Sequence, residues 1–360
     1  HRAAAAGPRT DAFDPALARE LQRILDELVA DGSIPGAVLA VHIDGQQPWV
    51  GASGIRDRGT RDPITPDTRM RVASLSKMFT AVVVLQLAQE GQIDLDEPVG
   101  TWLPGLVQGG DQIAVRNLLQ HTSGLFDFLD DRSYVAEAYR DPERMFKPAE
   151  LVAYADEFAP AFKPGARGAW DYSSTNYVLL GMIVEEVTGR SLAEEMRARI
   201  FDPLGLEGSF FLPQEQVAGA QSRGYSNRID QTAVAMSFGY ATASIVSTAD
   251  DLRRFGDALF GGELLEPSMQ AQMLTFVNGK GQYKMPALEY GLGIMRNQLP
   301  VGPGPDGEER PAATTTVMGH IGGFGGFRSA PWHAPEGGVT IALSMNQAAT
   351  DPNILAARAF

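Results

Sequence analysis

The chain has 360 residues and no cysteine, so disulfides, thiol catalysis and cysteine-ligated zinc are excluded. It has five histidines, none in the spacing of a known zinc motif, and we therefore expect neither a metal site nor a cofactor. No uninterrupted apolar run reaches the length of about 18 residues that a membrane-spanning helix needs. The sequence therefore predicts no membrane span.

Positive charge is also scarce, because 44 acidic residues outnumber 30 basic ones and give a net charge of −14. This balance argues against nucleic acid and anionic membrane surfaces as partners. A hydrophobic content of 44% with 21% charged residues is typical of an ordinary soluble globular protein. The length predicts two or three domain-sized units, or one core that carries an insertion.

One stretch, residues 71–91, is apolar on nearly every side and is predicted to form a helix. A helix from residue 74 to residue 90 would be about 25 Å long, and Gly91 stands where a left-handed cap ends a helix. A helix without a polar face is normally buried. The apolar positions are Met78, Phe79, Ala81, Val82, Val83, Val84, Leu85, Leu87 and Ala88.

Two polar residues at the start of this helix, Ser74 and Lys77, do not fit a purely structural role. Side chains three apart on a helix are neighbours, and a lysine whose pKa is lowered by burial can take the proton of a serine hydroxyl. A pattern as short as Ser-x-x-Lys also occurs by chance in many chains, in which case neither residue would be catalytic. However, lysine is rare here, with five against 25 arginines, and a charged lysine is costly to bury. The pattern favours the Ser-x-x-Lys arrangement of serine enzymes that react with penicillin.

Periodicity along the chain predicts an α+β protein. Helices are predicted at 12–31, 114–120, 149–158, 176–188, 247–260 and 352–360. Strands are predicted at 36–42, 48–54, 290–295, 314–318, 324–329 and 339–345. Because strands lie near both termini, we predict one largely antiparallel sheet flanked by helices, formed by residues 11–91 and 241–360. Residues 92–240 form a mostly helical domain in this scheme, with the active site in the cleft between the two.

Five segments in order, from about residue 15 to the C-terminus, resemble the serine β-lactamase-related superfamily. This superfamily includes class C β-lactamases, D-Ala-D-Ala carboxypeptidases, D-stereospecific aminopeptidases and esterases. The resemblance implies a β-lactamase/transpeptidase-like fold. The segments are TPDTRMRVASLSKMFTAVVVLQLAQEGQIDLDEPV, LLQHTSG, WDYSSTNYVLLGMIVEEVTG, VSTADDLRRF and GHIGGFGG.

The resemblance also implies catalytic roles for residues in two motifs. Ser74 would be the acylated nucleophile and Lys77 its base. The second motif is a Tyr-x-Asn, which falls here on Tyr172-Ser173-Ser174, and Tyr172 would share the acid and base work with Lys77 as a phenolate or within a hydrogen-bonded network.

A third motif, here His320-Ile321-Gly322, would border the site on a strand. The backbone N–H groups of Ser74 and of Gly323, which follows this motif, would form the oxyanion hole. One such donor contributes about 2.7–4 kcal/mol to transition-state stabilisation. Gly322, Gly323, Gly325 and Gly326 also lack side chains, so that substrate backbone could approach closely; a tight strand junction explains them equally well.

Three residues depart from the common pattern of the family. Ser174 stands where asparagine is usual, and a hydroxyl is shorter than an amide. Ile321 replaces a threonine or serine that helps to bind a substrate carboxylate, and His320 replaces the lysine of most class C enzymes. A histidine is largely uncharged at neutral pH. These changes favour a substrate whose acyl portion is neutral or apolar.

A literal Tyr-Ser-Asn also occurs at residues 225–227, but its surroundings differ from those of the family motif. The second motif is normally followed by a tyrosine and an apolar Leu-Gly helix, which residues 177–181 supply. We therefore interpret Tyr225 as a residue of a separate turn or strand.

Other chemically capable residues have simpler structural interpretations. His121 is expected to cap a helix end and to bond within a loop. Trp170, two residues before Tyr172, could line the cleft. The aspartates 127, 130 and 131 could form an acidic rim, although a solvated loop is the simpler account.

The sequence thus predicts a serine hydrolase that acts through an acyl-enzyme on Ser74, on an amide, ester or β-lactam carbonyl of a small-molecule or peptide substrate. The alternative is a protein of the same fold that binds penicillin or peptidoglycan fragments without turnover. The family resemblance further predicts a periplasmic or secreted protein. The choice of substrate and the oligomeric state stay open at this point.

Overall fold

The computed structural model describes residues 11–235, 237–279, 281–300 and 314–360. Its helices within these ranges are α1 Pro15–Ala30, α2 Ser76–Gln89, α3 Val115–Leu119, α4 Arg132–Arg140, α5 Pro148–Asp156, α6 Thr175–Thr188, α7 Leu192–Met196, α8 Ala249–Phe260, α9 Pro267–Met273 and α10 Pro352–Ala359. Its strands are β1 Gly36–Ile43, β2 Trp49–Gly54, β3 Met70–Arg71, β4 Phe210–Phe211, β5 Tyr225–Ser226, β6 Ile229–Asp230, β7 Ile245–Ser247, β8 Val277–Asn278, β9 Glu289–Tyr290, β10 Met295–Pro300, β11 Thr314–Gly319, β12 Gly322–Phe324, β13 Phe327–Ala334 and β14 Val339–Met345.

The main sheet is antiparallel and is built from both ends of the chain. Its strands follow the order β2-β1-β14-β13-β11-β10-β9-β8, and β12 pairs with β13 beside this path. β1 lies between β2 and β14, so that Leu39 is opposite Leu343. A smaller sheet joins β3, β7 and β4. This topology confirms the predicted α+β class with one antiparallel sheet.

Helices cover both faces of the main sheet, which explains why β1 is apolar at successive positions. Side chains alternate between the faces of a strand. Leu39 belongs to the core cluster that includes Leu21 and Leu25 of α1. Val38 belongs to the other cluster, which includes Phe255 of α8 and the buried apolar residues of α2. A strand buried on both faces needs apolar residues at every position.

α2 is the most deeply buried helix of the fold, as its sequence predicted. Every residue from Ser76 to Leu87 is buried. The ring of Phe79 stacks on Phe255 with 3.8 Å between centroids and meets the edge of Phe201 at 5.8 Å. This packing fixes the start of α2, where the candidate nucleophile lies, against the sheet and the helical region together.

Two predicted strands are broken by turns that the sequence pattern did not reveal. The predicted strand 290–295 is divided between β9 and β10, and Gly293 between them has φ of +83°. The predicted strand 324–329 is divided at Gly325 and Gly326, with φ of 56° and 85°, which form the hairpin between β12 and β13. Glycine adopts these left-handed conformations without steric cost, and apolar neighbours concealed the turns.

None of the helices in the described ranges is long and apolar enough to span a bilayer. The region 92–240 contains α3 to α7 together with the short strands β4, β5 and β6. β4 pairs with β7. The division into two domains at residues 91 and 240, and the location of the protein, stay predictions.

Phe79→Ala is expected to lower the free energy of unfolding by about 3–5 kcal/mol, because it removes a ring that contacts two others in the core. Urea unfolding followed by circular dichroism measures this change. Met145→Ala is the control, since Met145 is 59% exposed, and it should change stability by no more than about 0.5 kcal/mol. Equal effects of the two substitutions would contradict the described packing.

Candidate active site

Ser74 is presented by a strained turn at the start of α2. It lies in a 3₁₀ turn, Ala73–Leu75, that leads directly into the helix. Ala73 has φ of 51°, which is rare for a residue with a side chain. Such strain persists only where the surrounding structure imposes it, and it is common at functional sites. Ser74 is partly exposed, whereas Ala73 and Leu75 are buried.

The side chain of Lys77 lies one turn further along and reaches Ser74. Its Nζ is 3.2 Å from the Ser74 Oγ, and the side chain is 0% exposed. Burial lowers the pKa of Lys77 to about 7, although the nearby Asp127 carboxylate opposes this shift. A substantial fraction of this lysine is therefore an uncharged amine near neutral pH, which is the form that can accept a proton.

Tyr172 lies beside the same lysine, with its ring centroid 4.8 Å from Lys77 Nζ. Burial raises the pKa of Tyr172 well above its usual value. The nearby Ser74 hydroxyl lowers the pKa of Tyr172 by a smaller amount. The buried Tyr172 Oη has no hydrogen-bond partner that meets the usual distance and angle limits. The phenol is protonated at neutral pH, which favours the network role that we considered over a free phenolate.

Besides Lys77, five other rings surround the Tyr172 ring. The centroid distances are 4.2 Å to His121, 5.4 Å to Tyr283, 6.2 Å to Tyr290, 6.2 Å to His320 and 6.4 Å to Trp170. Trp170 is 3% exposed and donates from Nε1 to the Gln120 carbonyl. It supports the Tyr172 loop from inside and does not line an open cleft.

His320 uses both of its ring nitrogens within the protein. Nδ1 lies 2.6 Å from the Ile321 carbonyl oxygen and Nε2 lies 3.0 Å from the Tyr290 hydroxyl. Because a carbonyl only accepts, Nδ1 donates to it and Nε2 accepts from Tyr290. Burial and the charge of Lys77 lower the pKa of His320 to about 3. His320 is therefore uncharged at neutral pH, and its direct role in substrate binding stays a prediction.

Strand β12 packs directly on the residues that precede Ser74. A Cβ on Gly322 would lie 2.0 Å from the Val72 carbonyl oxygen and 2.5 Å from Ser329 Oγ. Only glycine fits there without moving the backbone. This close approach brings the third motif next to the turn that carries Ser74. The use of the Ser74 and Gly323 N–H groups as an oxyanion hole remains a prediction.

Asp127 is a site residue that the sequence analysis placed wrongly. It is partly buried rather than solvated, and burial raises its pKa while Lys77 opposes that rise. Its Oδ2 accepts from Ser174 Oγ at 3.1 Å, and its Oδ1 accepts from Leu129 N at 3.0 Å. Ser174, at the asparagine position of the family, thus contacts a carboxylate. Of its neighbours, Asp130 is exposed and Asp131 caps α4.

Tyr283 and Tyr290 were also missed, because no local signal distinguishes them. Tyr283 is 42% exposed, and its ring meets the edge of the Tyr172 ring. Its φ of 56° and that of Lys284 at 59° place two consecutive residues in the left-handed region.

Within the described residues, no group of three or more potential ligands could hold a metal ion.

The second Tyr-Ser-Asn string is not part of this site, as we interpreted it. Tyr225 and Ser226 form β5, which pairs with β6, and Asn227 has a left-handed φ of 55°. The Tyr225 hydroxyl accepts a hydrogen bond from Arg58 N at 2.8 Å, and the side chain is 3% exposed. Tyr225 therefore fixes a hairpin.

Comparison with known proteins agrees with this fold. The Beta-lactamase family model matches residues 21–359. A D-stereospecific amidohydrolase from Streptomyces sp. has a similar structure, with a TM-score of 0.79, 34% identity, and coverage of 92% of this chain and 94% of that one. A D-amino acid amidase from Ochrobactrum anthropi SV3, complexed with L-phenylalanine, has a TM-score of 0.83 and 28% identity, with coverage of 96% and 97%.

Among curated sequences, penicillin-binding protein 4 of Amycolatopsis lactamdurans is 34% identical over 198 residues. The match covers 54% of this chain and 49% of that protein, so the chain spans about half the length of this relative. The chain belongs to the beta-lactamase family. It has the β-lactamase/transpeptidase-like fold.

The lowered pKa of Lys77 predicts a measurable dependence of stability on pH. Between about pH 7 and 10.5 an unfolded lysine binds a proton that the folded Lys77 does not, so stability rises with pH in this window. Relative to Lys77→Met, the native chain should gain at most about 1.4 kcal/mol of unfolding free energy per pH unit. Chemical unfolding at several pH values measures this. Lys163→Met, at an exposed lysine, is the control, and parallel curves for the Lys77→Met and native chains would contradict the lowered pKa.

Proposed function

We propose that the chain hydrolyses amides of D-amino acids through an acyl-enzyme formed on Ser74. The observation that carries this proposal is the 3.2 Å contact between Ser74 Oγ and the Nζ of a buried lysine whose pKa is about 7. This pair supplies a nucleophile and an uncharged base in contact at neutral pH. A protein that only binds its ligand needs neither.

In the first step, the neutral amine of Lys77 takes the proton of the Ser74 hydroxyl while the oxygen attacks the amide carbon. The negative charge that develops on the carbonyl oxygen is held by the N–H groups of Ser74 and Gly323. Ser74 lies at the first turn of a helix segment, where the helix dipole also favours negative charge.

In the second step, the leaving amine needs a proton before the carbon–nitrogen bond breaks. Tyr172 supplies it, since its raised pKa keeps the phenol protonated, and the Lys77 ammonium 4.8 Å from the ring returns a proton to the tyrosine. Water then attacks the ester of Ser74 with Lys77 again as base, and the resulting Lys77 ammonium gives its proton to the departing Ser74 oxygen, which regenerates the serine. Protons and charges balance over the cycle.

The preference for an amide rests on what the third motif lacks and on the comparisons. His320 is uncharged and Ile321 has no polar group, so this motif offers no cation to a substrate carboxylate. Two structural relatives that match more than nine-tenths of the chain are named for hydrolysis of amides with D stereochemistry. Both lines of support favour an aminoacyl amide, which has no carboxylate, over a substrate held by its carboxylate.

The second candidate is a penicillin- or peptidoglycan-binding protein that acylates without turnover. Its support is the similarity to penicillin-binding protein 4 over about half of the chain. The contact of Ser174 with Asp127 also favours it, because no asparagine amide is available at that position. Slow deacylation is the property that separates the two functions.

The test compares D- and L-phenylalanine p-nitroanilide hydrolysis with benzylpenicillin binding, followed by intact-protein mass spectrometry. We expect turnover of the D substrate, little of the L substrate, and no lasting penicilloyl adduct. Ser74→Ala should lower turnover by at least about 1,000-fold. Ser76→Ala is the matched control, because that hydroxyl accepts from Ile245 N inside the core. A stable adduct without anilide turnover would support the binding protein instead.

The rate should also fall at acidic pH, because Lys77 must be uncharged to act as base. Below about pH 7 we expect kcat/KM to drop about tenfold per pH unit, as the pKa of Lys77 predicts, for an anilide whose acyl portion has no titratable group. Stopped assays in a constant-ionic-strength buffer from pH 5 to 9 measure this profile. A flat rate down to pH 5 would exclude Lys77 as the base.

A further inference from the structure

His121 is a buried titratable residue beside the site, and the mechanism above does not use it. Its side chain is 0% exposed, and its ring centroid lies 4.2 Å from that of Tyr172 with 31° between the planes. Its Nε2 is buried without a hydrogen-bond partner. A buried polar atom left unpaired carries a free-energy cost, so a histidine at this position requires an explanation.

The backbone of His121 is joined to the loop that carries Tyr172. His121 follows the end of α3 and has a left-handed φ of 59°, so the expectation that it ends a helix is confirmed. Its carbonyl accepts a hydrogen bond from Asp171 N at 3.1 Å. The residue immediately before Tyr172 is thereby held to the His121 main chain.

The side chain of His121 holds the residue on the other side of Tyr172. Ser173 N and Asn176 Nδ2 both lie 3.1 Å from His121 Nδ1. Ser123 Oγ donates to Asn176 Oδ1 at 2.7 Å, which orients the amide so that its NH₂ group faces the histidine. Nδ1 therefore accepts from two N–H donors, and the ring proton is on Nε2.

This geometry keeps the imidazole uncharged. A proton on Nδ1 would oppose the two N–H groups that point at it. Burial and the neighbouring charge of Lys77 also lower the pKa of His121 well below its usual value. The ring that contacts Tyr172 is thus a neutral aromatic surface, and it adds no positive charge beside the lysine.

We propose that His121 is a positioning residue, which fixes the Tyr172 phenol beside Ser74 by bonding to both neighbours of Tyr172 and by packing on its ring. This inference rests on the proposed role of Tyr172 as proton donor. His121 would then serve the reaction in addition to its structural position after the end of α3. Displacement of a reacting group by about 1 Å lowers a rate by up to about 100-fold.

A double-mutant cycle tests this assignment, with kcat for D-phenylalanine p-nitroanilide as the readout. His121→Asn retains an acceptor and tolerates the left-handed backbone, but it removes the ring. We expect His121→Asn to lower kcat by about 10- to 100-fold in the native background and by less than about threefold in Tyr172→Phe. KM should change little, since His121 contacts no substrate in this scheme.

His333→Asn is the matched control. His333 lies on strand β13. Its ring stacks on the Phe260 ring with 4.4 Å between centroids, and its Nδ1 lies 3.0 Å from Thr340 Oγ1. This substitution removes a similar stack and should lower the melting temperature without changing kcat. If His121→Asn does not fold, His121→Phe enters the same cycle, because it keeps a ring against Tyr172 and removes only the acceptor.

The outcomes separate this inference from the proposed function. If Tyr172→Phe leaves kcat unchanged, the proton-donor role of Tyr172 is wrong. If Tyr172→Phe lowers kcat but the His121 substitution lowers it by the same factor in both backgrounds, the positioning role is wrong and His121 serves the fold alone. A reduced effect in the Tyr172→Phe background supports the assignment.

Discussion

The removal of Lys77 from water is the constraint on which the rest of this structure depends. A charged amine at this position would lack hydration, so the balance moves toward the neutral form, and the Asp127 carboxylate limits the shift. The burial requires α2 to be apolar on all sides and packed by both the sheet and the helical region. The reactivity proposed for Ser74 therefore follows from core packing several residues away, since no dedicated base other than this lysine contacts its hydroxyl among the described residues.

Around this pair, the polar groups of the site are mostly engaged with one another. His320 bonds to Tyr290 and to its own neighbour's carbonyl, and Ser174 bonds to Asp127. Such contacts hold the site in one arrangement before any substrate arrives, which is what electrostatic stabilisation of a transition state requires. They also leave few groups free to bind a substrate carboxylate, in agreement with an amide as substrate.

Local patterns in the sequence were sufficient for seven of the ten helices in the described ranges, most of the sheet and the Ser74–Lys77 pair, because period and spacing determine which residues share a face. They did not predict the helices α4, α7 and α9. The contacts that set the chemistry join distant residues. Asp127 accepts a hydrogen bond from Ser174, which lies 47 positions later. The neutral state of His320 depends on its burial and on the charge of Lys77. The close contact of residue 293 with α2 requires a glycine, because a Cβ on Gly293 would lie 2.2 Å from the Cβ of Ala81. No pattern within a short window contains this information.

The position of β14 in the sheet has a consequence for how the protein is made. Ala37 of β1 pairs with Met345 of β14, and β14 is also the partner of β13. During synthesis the first hairpin, β1 and β2, therefore leaves the ribosome long before the strand that joins it to the rest of the sheet. Its exposed edge is open to pairing with other chains throughout that interval. The main sheet can thus be completed only after β14 has been translated.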